Sequence, residues 1–140
     1  MDIQARHLLF HSVVVLVVGL IEGAPYGRAI NRHAPEDTVR AWRLAHQTLP
    51  MGATLGMAIA AVLSSLSVGA PTKSVLAWAW VASNYSFCFS LTLAAFVGQR
   101  GLSPHPPLSN RLVYLGNVAG VLTSLIGAAV LLYAAYVSLL

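Results

Sequence analysis

The sequence contains very little charge. Only 9% of its 140 residues are Asp, Glu, Lys or Arg, whereas a soluble domain usually has about 25%. Hydrophobic residues make up 57%, and the few charged residues cluster, which leaves long uncharged stretches between them. This composition excludes a soluble globular domain. It also excludes a disordered chain, which would be polar and charged.

Cysteine and the common catalytic motifs are nearly absent as well. The single cysteine, Cys88, lies in an apolar stretch, so no disulfide can form within the chain. We find no glycine-rich phosphate loop, no C-x-x-C motif, no Ser/His/Asp order and no paired carboxylates. Nucleic-acid binding is not indicated, because the net charge of +4 comes from arginines in loops. Any chemistry should therefore depend on a bound cofactor.

The chain does contain four long apolar segments. About 20 apolar residues form a helix of about 30 Å, which is enough to cross a bilayer. Helices are expected, because in lipid each span must satisfy its own backbone hydrogen bonds. The sequence therefore predicts an all-α integral membrane four-helix bundle, a single domain over residues 1–140 that lies in the lipid bilayer. The predicted spans are 8–25, 47–68, 75–97 and 112–140.

The connections between these spans predict the orientation of the chain. Residues 23–43 are expected to form a long polar loop, residues 67–74 a short turn, and residues 98–111 a loop rich in Gly and Pro. Pro50 is expected in the first turn of the second span. The first and third loops contain six arginines, against two basic residues on the opposite side. Those two loops are therefore predicted to face the cytoplasm.

His46 is the strongest candidate for a functional residue. It opens the second apolar segment, with Trp42 four residues and Arg43 three residues before it, so the three share a face if the helix extends backwards. A neutral imidazole can bind heme iron, an arginine can pair with heme propionates, and a tryptophan can lie against the macrocycle. The alternative is an interfacial belt, since all three residue types favour the headgroup level.

Other polar residues in the spans are weaker candidates. Asn84 and Tyr85 lie near mid-depth in the third span, where a polar residue often marks a site, although Asn84 could simply bond to another helix. Glu22 ends the first span and is expected to pair with a loop arginine. His7 and His11 have a metal-binding spacing but no third ligand.

Two pairs of glycines lie four residues apart, Gly52 with Gly56 and Gly116 with Gly120. This spacing allows helix backbones to approach closely. Ordinary bundle packing is the first interpretation, and space for a flat ligand is the second.

Several of these segments resemble one family. They are RHLLFHSVVVLVVGLIEGAP, WRLAHQTLPMGATL, SNYSFCFS and QRGLSP, which together extend over most of the chain. They resemble the small four-span membrane isomerases that include styrene oxide isomerase and hydroxylaminobenzene mutase. The segment around His46 is the most specific part of this resemblance.

The resemblance implies a heme b protein of the bacterial inner membrane. His46 would be the axial ligand of heme iron, with Trp42 and Arg43 also at the cofactor, in a homotrimer that holds heme between neighbouring subunits. Ferric iron would act as a Lewis acid on a small aryl epoxide, and a 1,2-hydride shift would give an aldehyde. Rearrangement of an aromatic hydroxylamine to an aminophenol is the alternative reaction.

The resemblance is incomplete at the expected catalytic positions. Gly52, Trp80 and Cys88 stand where the family has an asparagine, a carboxylate and a tyrosine, and only Asn84 keeps its type. Asn84 and Tyr85 are therefore the predicted catalytic residues, with Tyr85 standing in for the missing phenol. A heme protein without catalysis and a cofactor-free packing subunit are the remaining alternatives.

Overall fold

The computed structural model describes all 140 residues and contains helices and no strands. Only Glu22 separates α1 from α2, so Ile3–Asn31 forms one nearly continuous helix of 29 residues and the molecule has four long helices. The predicted all-α fold is confirmed. The helical segments are α1 (Ile3–Ile21), α2 (Gly23–Asn31), α3 (Glu36–Leu63), α4 (Ala70–Val97) and α5 (Leu108–Val137).

Three of the long helices have the length and hydropathy to cross a membrane: Ile3–Asn31, Ala70–Val97 and Leu108–Val137. This finding supports a membrane protein. The fourth, α3, is also long at 28 residues, but it begins with Glu36 and Asp37 and becomes apolar only in its second half.

The helices pack in a fixed order. α1 packs most extensively against α3, and α4 against α5, while α4 also contacts α1 and α3. α5 contacts no helix except α4. The main core lies where α1 begins, α3 ends and α4 begins, and it is built from Ala5, Leu8, Ile59, Ala60, Leu63, Leu76, Ala77 and Val81.

Polar contacts distinguish the two ends of the bundle. At one end, Arg100 donates to Asp37 at 2.7 Å and so ties the α4–α5 connection to the start of α3. We call this the arginine end. At the other, the Asp2 backbone N–H donates to Ser64 Oγ at 2.9 Å, which places the N-terminus beside the α3–α4 turn. The first and third connections therefore lie at the same end, as the sequence predicted.

The long polar loop predicted for residues 23–43 is wrong. Most of this segment is helical, because α2 ends at Asn31 and α3 begins at Glu36, which leaves only a short turn around His33 and Pro35. The low hydropathy of this segment predicts a loop, yet Glu36 and Asp37 in the first turn of α3 are favourable for a helix N-terminus.

Pro50 also differs from its prediction, because it lies inside α3 and not in the first turn. Its ring has no N–H, so it cannot donate to the carbonyl of His46 one turn earlier.

Glycines allow α4 and α5 to approach closely. A Cβ atom on Gly116 would lie 2.8 Å from Ser90 Cβ, and one on Gly120 would lie 2.9 Å from Phe87 Cε2. Beside them, Ser83 Oγ donates to the Gly120 carbonyl at 3.0 Å. This pair of glycines therefore serves helix packing, which is the first of the two interpretations given above.

Candidate functional site

His46 faces α1 from α3, and its Nδ1 atom lies 2.8 Å from the carbonyl oxygen of Gly19. A carbonyl only accepts hydrogen bonds, so in the neutral ring Nδ1 carries the hydrogen and donates it. The lone pair of the ring is then on Nε2. Metal-binding histidines are commonly held in this way, with the second ring nitrogen donating to a backbone carbonyl.

Two glycines on the α1–α2 helix create the space for this histidine. A Cβ atom on Gly23 would lie 2.9 Å from His46 Cε1, and one on Gly19 would lie 2.6 Å from Pro50 Cδ. The missing side chains therefore allow the imidazole and the proline ring to reach the α1 backbone. Tyr26 lies on α2, and its ring centroid is 6.0 Å from that of His46.

Glu22 lies beside this glycine pair, and its predicted pairing with a loop arginine is wrong. The side chain is only 4% exposed and turns inward, where Oε1 accepts a hydrogen bond from Thr92 and Oε2 has no partner. Arg28 on α2 and Arg32 directly after it are exposed and form no ion pair with Glu22. Nothing in the sequence around Glu22 indicated the contact with Thr92, which is 70 residues away.

Trp42 and Arg43, one turn before His46, have different surroundings. The Trp42 ring is buried and meets the Phe96 ring edge to face, with centroids 4.9 Å apart. Ala29 and Ala95 complete this small cluster. Arg43 is exposed and makes no hydrogen bond or ion pair within the chain, so its guanidinium is free to bind an anionic group.

Asn84 lies at the crossing of α3 and α4, where it is 8% exposed. A Cβ atom on Gly52 would lie 2.8 Å from Asn84 Oδ1, and one on Gly56 would lie 3.3 Å from Asn84 Nδ2. The space left by this glycine pair therefore holds the amide. Asn84 Nδ2 has no hydrogen-bond partner in the chain.

Tyr85 points to another part of the bundle. Its hydroxyl lies 3.0 Å from His11 Nδ1, next to the ring of Trp78. His11 and Gly19 are eight residues apart on α1, which corresponds to about 12 Å along the helix axis. Within one chain, the structure therefore does not bring Tyr85 to His46.

A family model described as styrene oxide isomerase matches residues 4–136, almost the whole chain and all of the site just described. The chain belongs to the styrene oxide isomerase family. No curated protein matches it. Membership of this family indicates an isomerase-type function.

Trp80 and Cys88, two positions that the sequence predicts to depart from the family pattern, have side chains that pack. Trp80 faces α5, where a Cβ atom on Gly127 would lie 2.9 Å from Trp80 Cε3. Cys88 packs beside the apolar cluster that contains Val15 and Leu49. The thiol of Cys88 lies close to Glu22 and Thr92.

The other histidines form no comparable site in this styrene oxide isomerase family member. The rings of His7 and His11 stack with centroids 6.3 Å apart, but the chain contains no group of three or more His, Cys, Asp and Glu side chains that could hold a metal ion. His33 and His105 are exposed.

A cavity of about 510 Å³ opens at the arginine end between α3, α4 and the α4–α5 connection. Its lining includes Arg40, Leu44, Arg100 and Asn117 but not His46. Both arginines already form ion pairs, Arg40 with Glu36 and Arg100 with Asp37. The cavity is therefore separate from the His46 site.

Proposed function

We propose that this chain is a membrane-embedded isomerase that uses heme b bound through His46. The observation that carries the proposal is the hydrogen bond from His46 Nδ1 to the Gly19 carbonyl, which leaves Nε2 with a free lone pair. An imidazole in this state is a suitable axial ligand for heme iron. Membership of the styrene oxide isomerase family supports the same function.

The surrounding residues fit such a ligand. The missing side chain of Gly23 lets the imidazole pack against the helix backbone, and the ring is only partly buried in the single chain. Arg43 is exposed and unpaired, so it can hold a propionate. Trp42 lies one turn before His46 and packs against Phe96, and it is proposed to lie beside the macrocycle.

Bound ferric heme would supply a Lewis acid for the oxygen of a small aryl epoxide. The proposed reaction converts the epoxide to the isomeric aldehyde by a 1,2-hydride shift, with no net electron transfer. Asn84 is proposed to donate to a polar atom of the substrate inside the bundle, because its Nδ2 is buried and unpartnered. Tyr85 is 37% exposed, and we propose that it acts on substrate from the side of a neighbouring chain.

The proposed assembly is a homotrimer in the bacterial inner membrane. α5 contacts only α4 and exposes many apolar side chains, among them Leu122, Leu125 and Tyr133, which neighbouring chains and lipid can cover. α3 is proposed as the fourth span, with the loops of the arginine end in the cytoplasm.

The visible spectrum of the purified protein tests this function. We expect a Soret band that is lost in His46→Ala and unchanged in His33→Ala, which removes an exposed histidine as a matched control. Conversion of styrene oxide to phenylacetaldehyde, followed by gas chromatography, should depend on the same residue. A colourless wild type, or a Soret band that is unaffected in His46→Ala, contradicts the proposal.

A heme protein without catalysis is the second candidate. It is favoured by the position of Tyr85, which binds His11 and does not reach His46. The departures from the family pattern that the sequence predicts at Trp80 and Cys88 favour it as well. Heme that is six-coordinate in both oxidation states would support it, because no coordination position remains for substrate. If the iron has a free position but styrene oxide is not converted, an aromatic hydroxylamine and its aminophenol product are the next pair to assay.

A further inference from the structure

Two histidines lie side by side on the first half of α1, outside the His46 site. His7 and His11 are four residues apart, which places them on the same face of the helix. Their rings are nearly parallel, at an interplanar angle of 17°, and their centroids are 6.3 Å apart. Histidine is the commonest metal ligand in proteins, so the spacing and the parallel rings favour a shared ion.

The phenol of Tyr85 orients one of the two rings. Its Oη atom lies 3.0 Å from His11 Nδ1. When Nδ1 carries the hydrogen, it donates to the phenol oxygen, and the lone pair of the ring is on Nε2. Metal-binding histidines are commonly held by such a partner on the second ring nitrogen. Because the phenol oxygen accepts this bond, the Tyr85 O–H remains free to donate to another group.

Trp78 supports both rings from one side and leaves them open on another. Its ring centroid is 5.7 Å from that of His7 and 5.8 Å from that of His11. Both histidines line an open cleft of about 460 Å³, and Trp78 does not. Since His7 lies only four residues after the start of α1 at Ile3, an ion from solution can reach this cleft.

The chemistry of the pair selects the class of ion. Imidazole nitrogens suit Cu²⁺, Ni²⁺ and Zn²⁺, whereas Mg²⁺ and Ca²⁺ prefer oxygen ligands. A zinc–nitrogen bond is about 2.0–2.1 Å long, so the two rings must approach slightly to share an ion. His7 is exposed and can turn to do so. No third His, Cys, Asp or Glu side chain joins the pair, so water from the cleft has to fill the other coordination positions.

We propose that His7 and His11 chelate one divalent transition-metal ion near the start of α1. Two protein ligands make an open, exchangeable site, unlike a structural zinc site, which has four. Arg6 also lines the cleft and no acidic residue does. The positive charge of Arg6 opposes a bound cation and therefore limits the affinity.

This site is separate from the His46 site of the same chain. His11 and Gly19, the hydrogen-bond partner of His46, are eight residues apart on α1, which corresponds to about 12 Å along the helix axis. The proposal does not depend on heme. A protein without a Soret band should still bind the ion at His7 and His11.

Calorimetric titration of the purified full chain in detergent with Ni²⁺ tests the proposal. The purification tag should contain no histidine, because a histidine tag binds the same ions. We expect saturable binding of one ion per chain that EDTA reverses. The affinity should fall at least tenfold in His7→Ala and in His11→Ala. His7 is exposed, so His7→Ala should fold like the wild type and keeps the test readable if His11→Ala does not.

His105→Ala is the matched control, because it removes an exposed histidine from the α4–α5 connection. It should bind Ni²⁺ with the affinity of the wild type. Absence of saturable binding in the wild type, or an unchanged affinity in His7→Ala, overturns the proposal.

Two further variants test the proposed geometry. Tyr85→Phe removes the hydroxyl that orients His11 and should weaken Ni²⁺ binding about tenfold or more. Arg6→Ala removes the opposing charge and should bind Ni²⁺ at least as tightly as the wild type. An unchanged affinity in Tyr85→Phe would contradict the orienting role of the phenol, and a weaker one in Arg6→Ala would contradict the proposed location of the ion.

Electron paramagnetic resonance of bound Cu²⁺ identifies the ligands directly. The wild type should show hyperfine splitting from two imidazole nitrogens, and His7→Ala should show splitting from one. A spectrum of hydrated Cu²⁺ in the wild type, or identical spectra of the two proteins, would show that the histidine pair does not chelate the ion.

Discussion

The imidazole of His46 and the carbonyl of Gly19 are joined by a hydrogen bond of 2.8 Å between α3 and α1. The acceptor is a backbone atom, so its position is fixed by the path of α1 and not by a flexible side chain. The bond determines both the orientation of the ring and which nitrogen is free. Any change that separates α1 from α3 at this level should therefore weaken ligand binding by His46.

Gly23→Ala tests this relationship. The new methyl would lie 2.9 Å from His46 Cε1, so the ring must move and weaken its bond to Gly19. Overpacking of this kind costs about 1–3 kcal/mol, and we expect heme affinity to fall about tenfold or more, measured by titration of the apoprotein.

Gly27→Ala is the matched control for that experiment. Gly27 lies on the same helix, but no atom would be within 4 Å of its added methyl group. This variant should bind heme normally and gain about 0.5–1 kcal/mol of stability, because alanine is the better helix former. Equal heme affinity in the two variants would show that Gly23 does not position His46.

The candidate ligand could be predicted from the sequence because its signal is local. His46, Trp42 and Arg43 are within one turn of each other, and the helix does extend back through all three. The residue that orients the ring could not be predicted, since Gly19 contributes only a carbonyl and lies 27 positions away.

Two adjacent residues on α4 that the sequence predicts to act together face different helices. Asn84 and Tyr85 are adjacent, but successive helix residues differ in direction by about 100°. Asn84 therefore points to α3 and Tyr85 to α1.

Hydropathy predicts the long apolar helices, but it cannot separate a polar loop from a polar helix. For that reason it does not predict α2 or the start of α3.

Arg43→Ala separates cofactor binding from folding. Arg43 is exposed and has no partner in the chain, so the stability of the apoprotein should change by less than about 0.5 kcal/mol. Loss of a charge-assisted hydrogen bond to a propionate should weaken heme binding about tenfold. Arg6→Ala removes an exposed arginine at the opposite end and should not affect heme binding. Equal effects of the two variants would contradict the role of Arg43.

Glu22→Gln tests the buried carboxyl group beside the His46 site. No cation pairs with Glu22, and one of its oxygens has no partner. The amide keeps an oxygen for Thr92 to donate to, and a neutral group avoids the cost of a charge in the membrane, which is about 2.5–3.5 kcal/mol at the bilayer centre on insertion scales. We therefore expect an unchanged or higher melting temperature for Glu22→Gln, and a lower one for Glu22→Ala, which leaves Thr92 without its partner.

A strongly destabilised Glu22→Gln would contradict this interpretation. It would mean that the carboxylate is paired with a cation, either a protonated His46, which lies close to Glu22, or a group supplied by a neighbouring chain.

The ion pair between Asp2 and Lys73 predicts that thermal stability depends on pH. The pair lies at the end of the bundle opposite the arginine end. Lys73 Nζ donates to Asp2 Oδ2 at 2.9 Å, and this contact holds the pKa of the Asp2 carboxyl below its ordinary value of 3.8. Lys73 also donates to the Ser64 carbonyl at 3.2 Å, so the pair ties the N-terminus to the α3–α4 turn. A group with a lowered folded-state pKa stabilises the fold above its unfolded-state pKa, and this contribution is lost as the pH falls through the folded-state value.

Asp2→Asn should therefore unfold at a lower temperature than wild type at neutral pH, and the difference should disappear as the pH falls below 3.8. The Asp2 side chain is 38% exposed, so the effect is expected to be small and to decrease in 1 M salt, where charges are screened beyond about 3 Å. Thermal unfolding in detergent between neutral and acidic pH measures this difference. A difference that persists in acid, or that salt does not reduce, would show that the Asp2 side chain stabilises this end through something other than its charge.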